Sequence, residues 1–213
     1  SDGWRQPGSS IKPIDYSIGI DDETYTAATM FMDVVTDFGR GFTPTQADKK
    51  ERGPVRLRSA LQFSLNIPAI KATLMQGLDH TFDRSQDFGL TFAPSESPVV
   101  SMGIGTLVTH PIDMLEAYST IANHGVKMPR QMITKVVDEN GVQVWPLDDT
   151  KAEGAEVISP QAAYIITDIL SGNTVPSVNP YWGEWAVYAK NGRRRPAAYK
   201  TGTTSDNRDV HAY

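Results

Sequence analysis

The chain has 213 residues, 39% of them hydrophobic, enough to bury a sizeable core within one domain, taken as residues 1–213. Acidic residues outnumber basic ones 25 to 20, and the net charge of -5 offers nucleic acid no broad basic surface. Cysteine is absent, which excludes disulfides, thiolate metal sites and cysteine catalysis, and no apolar run approaches the length of a membrane span.

The first predicted element is a helix beginning close to Ser9. Pro7-Gly8 makes a tight approach turn, and Pro13 lacks an N–H, so it is tolerated only in a first turn. A second helix is predicted from Val55 to Phe63 and a third from about Pro68 to Gly77, with Ser64-Leu65-Asn66 at the corner between them. Thr109-His110-Pro111 opens a further helix with a cap and an early proline, ending at Gly125. Asp138-Glu139-Asn140-Gly141 between two apolar stretches predicts a peripheral hairpin. Ser159-Pro160 starts a helix with Ala162, Ile165, Ile166, Ile169 and Leu170 on its apolar face, terminated at Gly172. A long connection follows, with Tyr181, Trp182, Trp185 and the run Arg193-Arg194-Arg195; it either lines a substrate groove or is a solvated insertion, and the second reading is preferred because charge runs are usually surface features. Lys200-Thr201-Gly202-Thr203-Thr204 reads as a strand edge.

Three short motifs in this order carry chemistry. In Ser9-Ser10-Ile11-Lys12 the lysine lies three residues from the serine, on the same helical face, where its amine can take the hydroxyl proton. To act as a base near neutral pH, Lys12 needs burial or a second cation, and Lys200 is the candidate for that cation. A helix start at Ser9 also directs backbone N–H groups to where an oxyanion would develop. Ser64 is a candidate proton relay between Lys12 and a leaving group, and Asn66 a candidate for holding a substrate amide; the plainer use of Asn66 is to cap the following helix. Lys200 and the Thr201 hydroxyl are assigned to a terminal carboxylate, Gly202 to the close approach of a substrate chain, and the Thr203 N–H to the oxyanion together with that of Ser9.

A chain of this length and ordinary composition holds about one S-x-x-K by chance but roughly one-twentieth of a K-T-G, so the last motif is the informative one. The middle motif is ambiguous, because Ser171-Gly172-Asn173 and Ser205-Asp206-Asn207 also fit S-x-N. Ser205 follows Thr203 too closely to reach an opposite wall, and Gly172 has a structural use as a helix terminator. The four histidines, His80, His110, His124 and His211, lack metal-ligand spacing, and Ser101-Met102-Gly103-Ile104-Gly105 lacks a nucleotide-loop pattern. No metal or cofactor is expected.

The wording around these motifs resembles the transpeptidase domain of class A penicillin-binding proteins. The likeness runs through Arg5 to Ile14, through Phe42-Thr43-Pro44-Thr45 and Arg52 to Lys71, and through Lys200 to Asp209, and it settles the choice of Ser64 and Asn66. The resemblance implies an α+β, β-lactamase/transpeptidase-like fold, an antiparallel sheet flanked by a mainly helical region. With eight residues before Ser9 and an end at Tyr213, little room remains for the family's outer strands, so sheet strands are expected to be missing at both ends. It also implies D,D-transpeptidation of peptidoglycan stem peptides ending in D-Ala-D-Ala, through an acyl-enzyme on Ser9 that β-lactam antibiotics would trap. The implied setting is the extracytoplasmic face of the bacterial cell membrane, with a tether outside this chain and, in the family, a companion glycosyltransferase domain. The alternatives are a serine β-lactamase or carboxypeptidase, with Glu96, Glu116, Glu139, Glu153 and Glu156 as possible bases for water, or a non-catalytic β-lactam-binding module.

Overall fold

A computed structural model describes residues 3–145, 153–179, 186–204 and 207–213. Its centre is α1, Lys12–Asp21, in which every residue from Lys12 to Gly19 is buried. Ile14, Tyr16 and Ile18 alternate with Lys12, Asp15 and Ser17, so the helix has no polar face to turn to water and must be enclosed on all sides. The enclosure comes from α3 (Asn66–Gln76), α4 (Leu78–Asp87) and α6 (Pro160–Ser171). Ile166, Ile169 and Leu170 of α6 join the core with Leu57 and Leu61 of α2 (Leu57–Gln62) and Met114 and Ala117 of α5 (Pro111–Ala122).

The strands form two-stranded antiparallel pairs: β1 (Met30–Asp33) with β2 (Gly53–Arg56), β3 (Val126–Lys127) with β6 (Ala155–Glu156), β4 (Val136–Val137) with β5 (Gln143–Trp145), and β7 (Thr201–Thr203) with β8 (Val210–Ala212). The β4–β5 pair is the predicted peripheral hairpin, with every strand residue exposed. Val55 and Arg56, predicted as helical, instead pair with Phe31 and Met30, and the helix starts two residues later than predicted, at Leu57. The pairing of β1 overrides the local preference there.

Two expected caps differ in kind. The Ser159 hydroxyl does accept the Ala162 N–H (3.3 Å) at the start of α6. Thr109 does not cap α5: His110 holds the cap position, and the Thr109 hydroxyl instead donates to the Thr91 carbonyl (2.7 Å). Gly172 continues α6 into a 3-10 turn with right-handed backbone, so it is not a left-handed terminator. A Cβ there would lie 2.4 Å from the Gln62 amide nitrogen, and close packing explains the glycine.

Candidate active site

Residues Gly8–Ile11 form a 3-10 turn leading into α1, with Pro13 in the first helical turn as predicted. The turn is seated by main chain on two sides. A Cβ at Gly8 would lie 2.3 Å from the Thr203 carbonyl oxygen, and one at Gly105 would lie 2.0 Å from the Gly8 carbonyl oxygen. Gly8 N–H donates to the Gly105 carbonyl (3.1 Å), so the segment Ser101 to Gly105 is part of the frame behind Ser9. Gly202, expected to admit a substrate, is buried and meets the turn itself: its missing Cβ leaves space for the Pro7 carbonyl at 2.4 Å. That corrects the role of the glycine. Among the described residues the partly exposed Ser9 hydroxyl has no hydrogen-bond partner.

Ser64 sits between α2 and α3 with φ of +57°, a left-handed conformation that costs a residue with a Cβ roughly 1–2 kcal/mol. This turn is closed by the Leu65 N–H donating to the Ala60 carbonyl (2.8 Å). It aims the hydroxyl at two lysines. Lys200 Nζ donates to Ser64 Oγ at 2.8 Å and to the Thr201 carbonyl at 2.8 Å. Lys12 Nζ donates to the Ser64 carbonyl (2.7 Å), the Asn66 Oδ1 (2.8 Å) and, at 3.4 Å, Ser64 Oγ. Residues 52 and 136 positions apart in the chain therefore share one hydroxyl. Asn66 does not cap α3, since Leu65 occupies that position; its amide instead bridges Lys12 and the Thr45 carbonyl (2.9 Å).

Both lysines are shut off from water, Lys12 at 0% and Lys200 at 2% exposure. Burial in a medium that solvates charge poorly lowers the Lys12 ammonium well below its usual value, and the charge of Lys200 lowers it further. Burial takes Lys200 down to about 7. The expectation that Lys12 needs burial or a second cation is thus met on both counts. Opposing them is Asp15, one helical turn along α1, whose charge pulls Lys12 upward. Its own carboxyl is raised well above the carboxylate range by burial, and neither oxygen has a hydrogen-bond partner among the described residues. Sequence reading missed Asp15, because only tertiary enclosure of α1 makes it unusual.

On the third wall, Lys200 and Tyr213 exchange both backbone bonds (2.9 and 3.1 Å), and Thr204 N–H donates to the Asp209 carbonyl (3.1 Å). By the alternation of an antiparallel ladder, the main-chain groups of Thr201 and Thr203 then face away from β8. Thr203 N–H and C=O lie on the edge beside Gly8 and Ser9, and β8 is the one strand paired with β7 among the described residues. Gly202 and Lys200 point to the opposite side of the strand from Thr201 and Thr203.

The competing motif Ser171-Gly172-Asn173 has structural uses. Ser171 Oγ donates to the Asp168 carbonyl (2.8 Å), and buried Asn173 donates to the Tyr199 carbonyl (3.0 Å), tethering the approach to Lys200. Ser205, Asp206, Tyr181, Trp182 and Trp185 lie outside the described residues. Arg193, Arg194 and Arg195 are exposed. Of the glutamates weighed as bases, Glu116 pairs with Arg130, Glu96 accepts the Val108 N–H at 3.3 Å, and Glu139, Glu153 and Glu156 are exposed. Among the described residues no group of acidic or histidine side chains is arranged to hold a metal ion.

Residues 2–213 match the family model of the penicillin binding protein transpeptidase domain. Penicillin-binding protein 1A of Neisseria lactamica is 35% identical over 97% of this chain and 26% of its own length, and that of Clostridium botulinum is 33% identical over 97% and 25%. The chain thus spans about a quarter of the curated relatives it matches. Among solved structures, penicillin-binding protein 1A from Haemophilus influenzae superposes with a TM-score of 0.77 at 24% identity, covering 96% of this chain and 35% of that one. PonA1 from Mycobacterium tuberculosis gives 0.80 at 21% identity, over 99% and 58%. The fold is accordingly the α+β architecture of the transpeptidase domains, and the chain belongs to the penicillin-binding protein transpeptidase domain family.

Proposed function

We propose that this chain forms the acyl-transfer site of a peptidoglycan D,D-transpeptidase, with Ser9 as its nucleophile. The observation that carries the reading is the Ser64 hydroxyl flanked by two buried lysine side chains beside the turn that presents Ser9. Neutral Lys12 has two N–H donors and one lone pair. It keeps its two short bonds, to the Ser64 carbonyl and Asn66 Oδ1, and gives up the 3.4 Å contact, which frees the lone pair to accept a proton. The positive charge of Lys200, held on Ser64, favours that neutral state.

In this mechanism Ser9 Oγ attacks the carbonyl between the last two D-alanines of a stem peptide as Lys12 takes its proton. The Ser9 and Thr203 N–H groups stabilise the oxyanion. Ser64 passes the proton from Lys12 to the leaving D-alanine amine as the peptide bond breaks, and an amine of a neighbouring stem peptide then displaces Ser9 from the acyl-enzyme. Asn66 holds the substrate amide with its remaining N–H, while Lys200 and Thr201 hold the terminal carboxylate. β-Lactams acylate the same serine. The site works on the outer face of the bacterial cell membrane, in a longer polypeptide carrying the tether and a glycosyltransferase domain. A solved PonA1 in complex with penicillin V, at a TM-score of 0.78, has the same fold. Mass spectrometry after penicillin exposure tests the assignment: the wild type gains one penicilloyl adduct and Ser9→Ala gains none. An adduct persisting on Ser9→Ala would refute it.

A further inference from the structure

The loop between β1 and β2, residues 34–52, reaches the active site through two adjacent residues, Thr45 and Gln46. The N–H of Asn66 is one of the unpaired donors at the start of α3, and it donates to Gln46 Oε1 at 2.6 Å, from 20 residues upstream. Gln46 Nε2 in turn donates to the carboxylate of Asp33 on β1. Gln46 is buried and Asp33 is 0% exposed. Each partner has only one polarity to offer. A backbone N–H donates only, so Gln46 must turn its carbonyl to Asn66 and its NH2 to Asp33. The Thr45 carbonyl also accepts only, so Asn66 must turn its NH2 that way and its Oδ1 to Lys12.

We propose that Gln46 is a positioning residue for acylation: braced by Asp33, it fixes the backbone of Asn66 so that the Asn66 amide carbonyl faces Lys12. The inference rests on the acyl-enzyme reading of Ser9 and Lys12. Four groups surround Asp33. Arg52, leading into β2, lies 3.7 Å from the second carboxylate oxygen. Lys71 of α3 donates to the neighbouring Met32 carbonyl (2.7 Å), and Tyr16 of α1 feels the Asp33 charge. Gln46 is the one of the four neighbours that also touches Asn66.

The test uses the full-length polypeptide, with the rate of acylation by a fluorescent penicillin measured across pH and thermal melts alongside. Gln46→Glu sets a second carboxylate against Asp33 with little change in shape. The pair must share a proton or move apart, so acylation falls about tenfold at neutral and alkaline pH and recovers as pH is lowered. The double variant Asp33→Asn/Gln46→Glu restores the pairing with its polarity reversed, an amide at position 33 donating to a carboxylate at position 46, and recovers acylation at neutral pH. A merely structural role would lower the melting temperature without this pH-dependent loss and its recovery. Gln46→Glu acylating at the wild-type rate throughout, or a double variant no faster than Gln46→Glu, would overturn the proposal. A wild type that takes no penicillin would remove the acyl-enzyme reading, and this inference with it.

Discussion

Replacing Gly202 by alanine tests whether the turn that carries Ser9, the proposed nucleophile, is held on β7 by main-chain contact. The added Cβ would meet the Pro7 carbonyl oxygen at 2.4 Å and the Ser10 nitrogen and Cβ at 2.9 Å, where ordinary contact begins at 3.4 Å. All three obstacles belong to the backbone or are fixed to it, so no side-chain rotation relieves the overlap. The turn must retreat by about 1 Å, an overpacking that costs roughly 1–3 kcal/mol of stability. It carries Ser9 away from the Thr203 N–H and from Lys12, and a displacement of about 1 Å in a reacting group costs on the order of 100-fold in rate. The assay is the second-order rate constant for acylation by a fluorescent penicillin, with a thermal melt to establish that the variant is folded. A folded Gly202→Ala protein that acylates as fast as the wild type would refute the argument that this glycine seats the Ser9 turn.

Ser64→Ala and Ser64→Gly should both lose acylation, since each removes the hydroxyl shared by the lysines. Only glycine relieves the left-handed backbone, so Ser64→Gly should be about 1 kcal/mol more stable than Ser64→Ala by chemical denaturation; the reverse order would mean the turn is unstrained. Lys200 titrates near about 7 in the folded protein against 10.5 when solvated, so between these values the unfolded chain holds a proton that the folded protein lacks. The contribution of Lys200 to stability therefore rises with pH across that window. Relative to Lys200→Met, the wild-type melting temperature should climb from about 7 toward 10.5, and a flat difference would contradict the burial argument.

The three motifs were legible because each compresses its chemistry into a few adjacent residues. Lys12, Ser64, Asn66 and Lys200 needed only a fold that brings the segments together. Helix starts at Pro13, Pro68 and Pro160 were legible because proline acts locally. Tertiary causes were harder to read. Asp15 looks like any acidic residue of a helix until α1 is enclosed on every side, and Gln46 looks like loop until its amide is found between Asp33 and Asn66. Gly202 was read as space for a guest, when the space is already filled by Pro7 and Ser10. Val55 and Arg56 had helical neighbours but a strand partner in Phe31 and Met30.

The outward-facing edge of β7 has a chemical corollary. On the proposed mechanism, Thr203 offers a guest an amide hydrogen and a carbonyl that are identical in every residue except proline, so this wall would measure the spacing of peptide units and be indifferent to what hangs from them. On that mechanism, discrimination between guests then falls to the few side chains at its margins, Asn66 beside Lys12 on one flank and Lys200, bonded to Ser64, with Thr201 at the end. A small rigid compound that reproduces one peptide unit and one anionic group would satisfy the same donors as a natural strand, whatever scaffold joins the two.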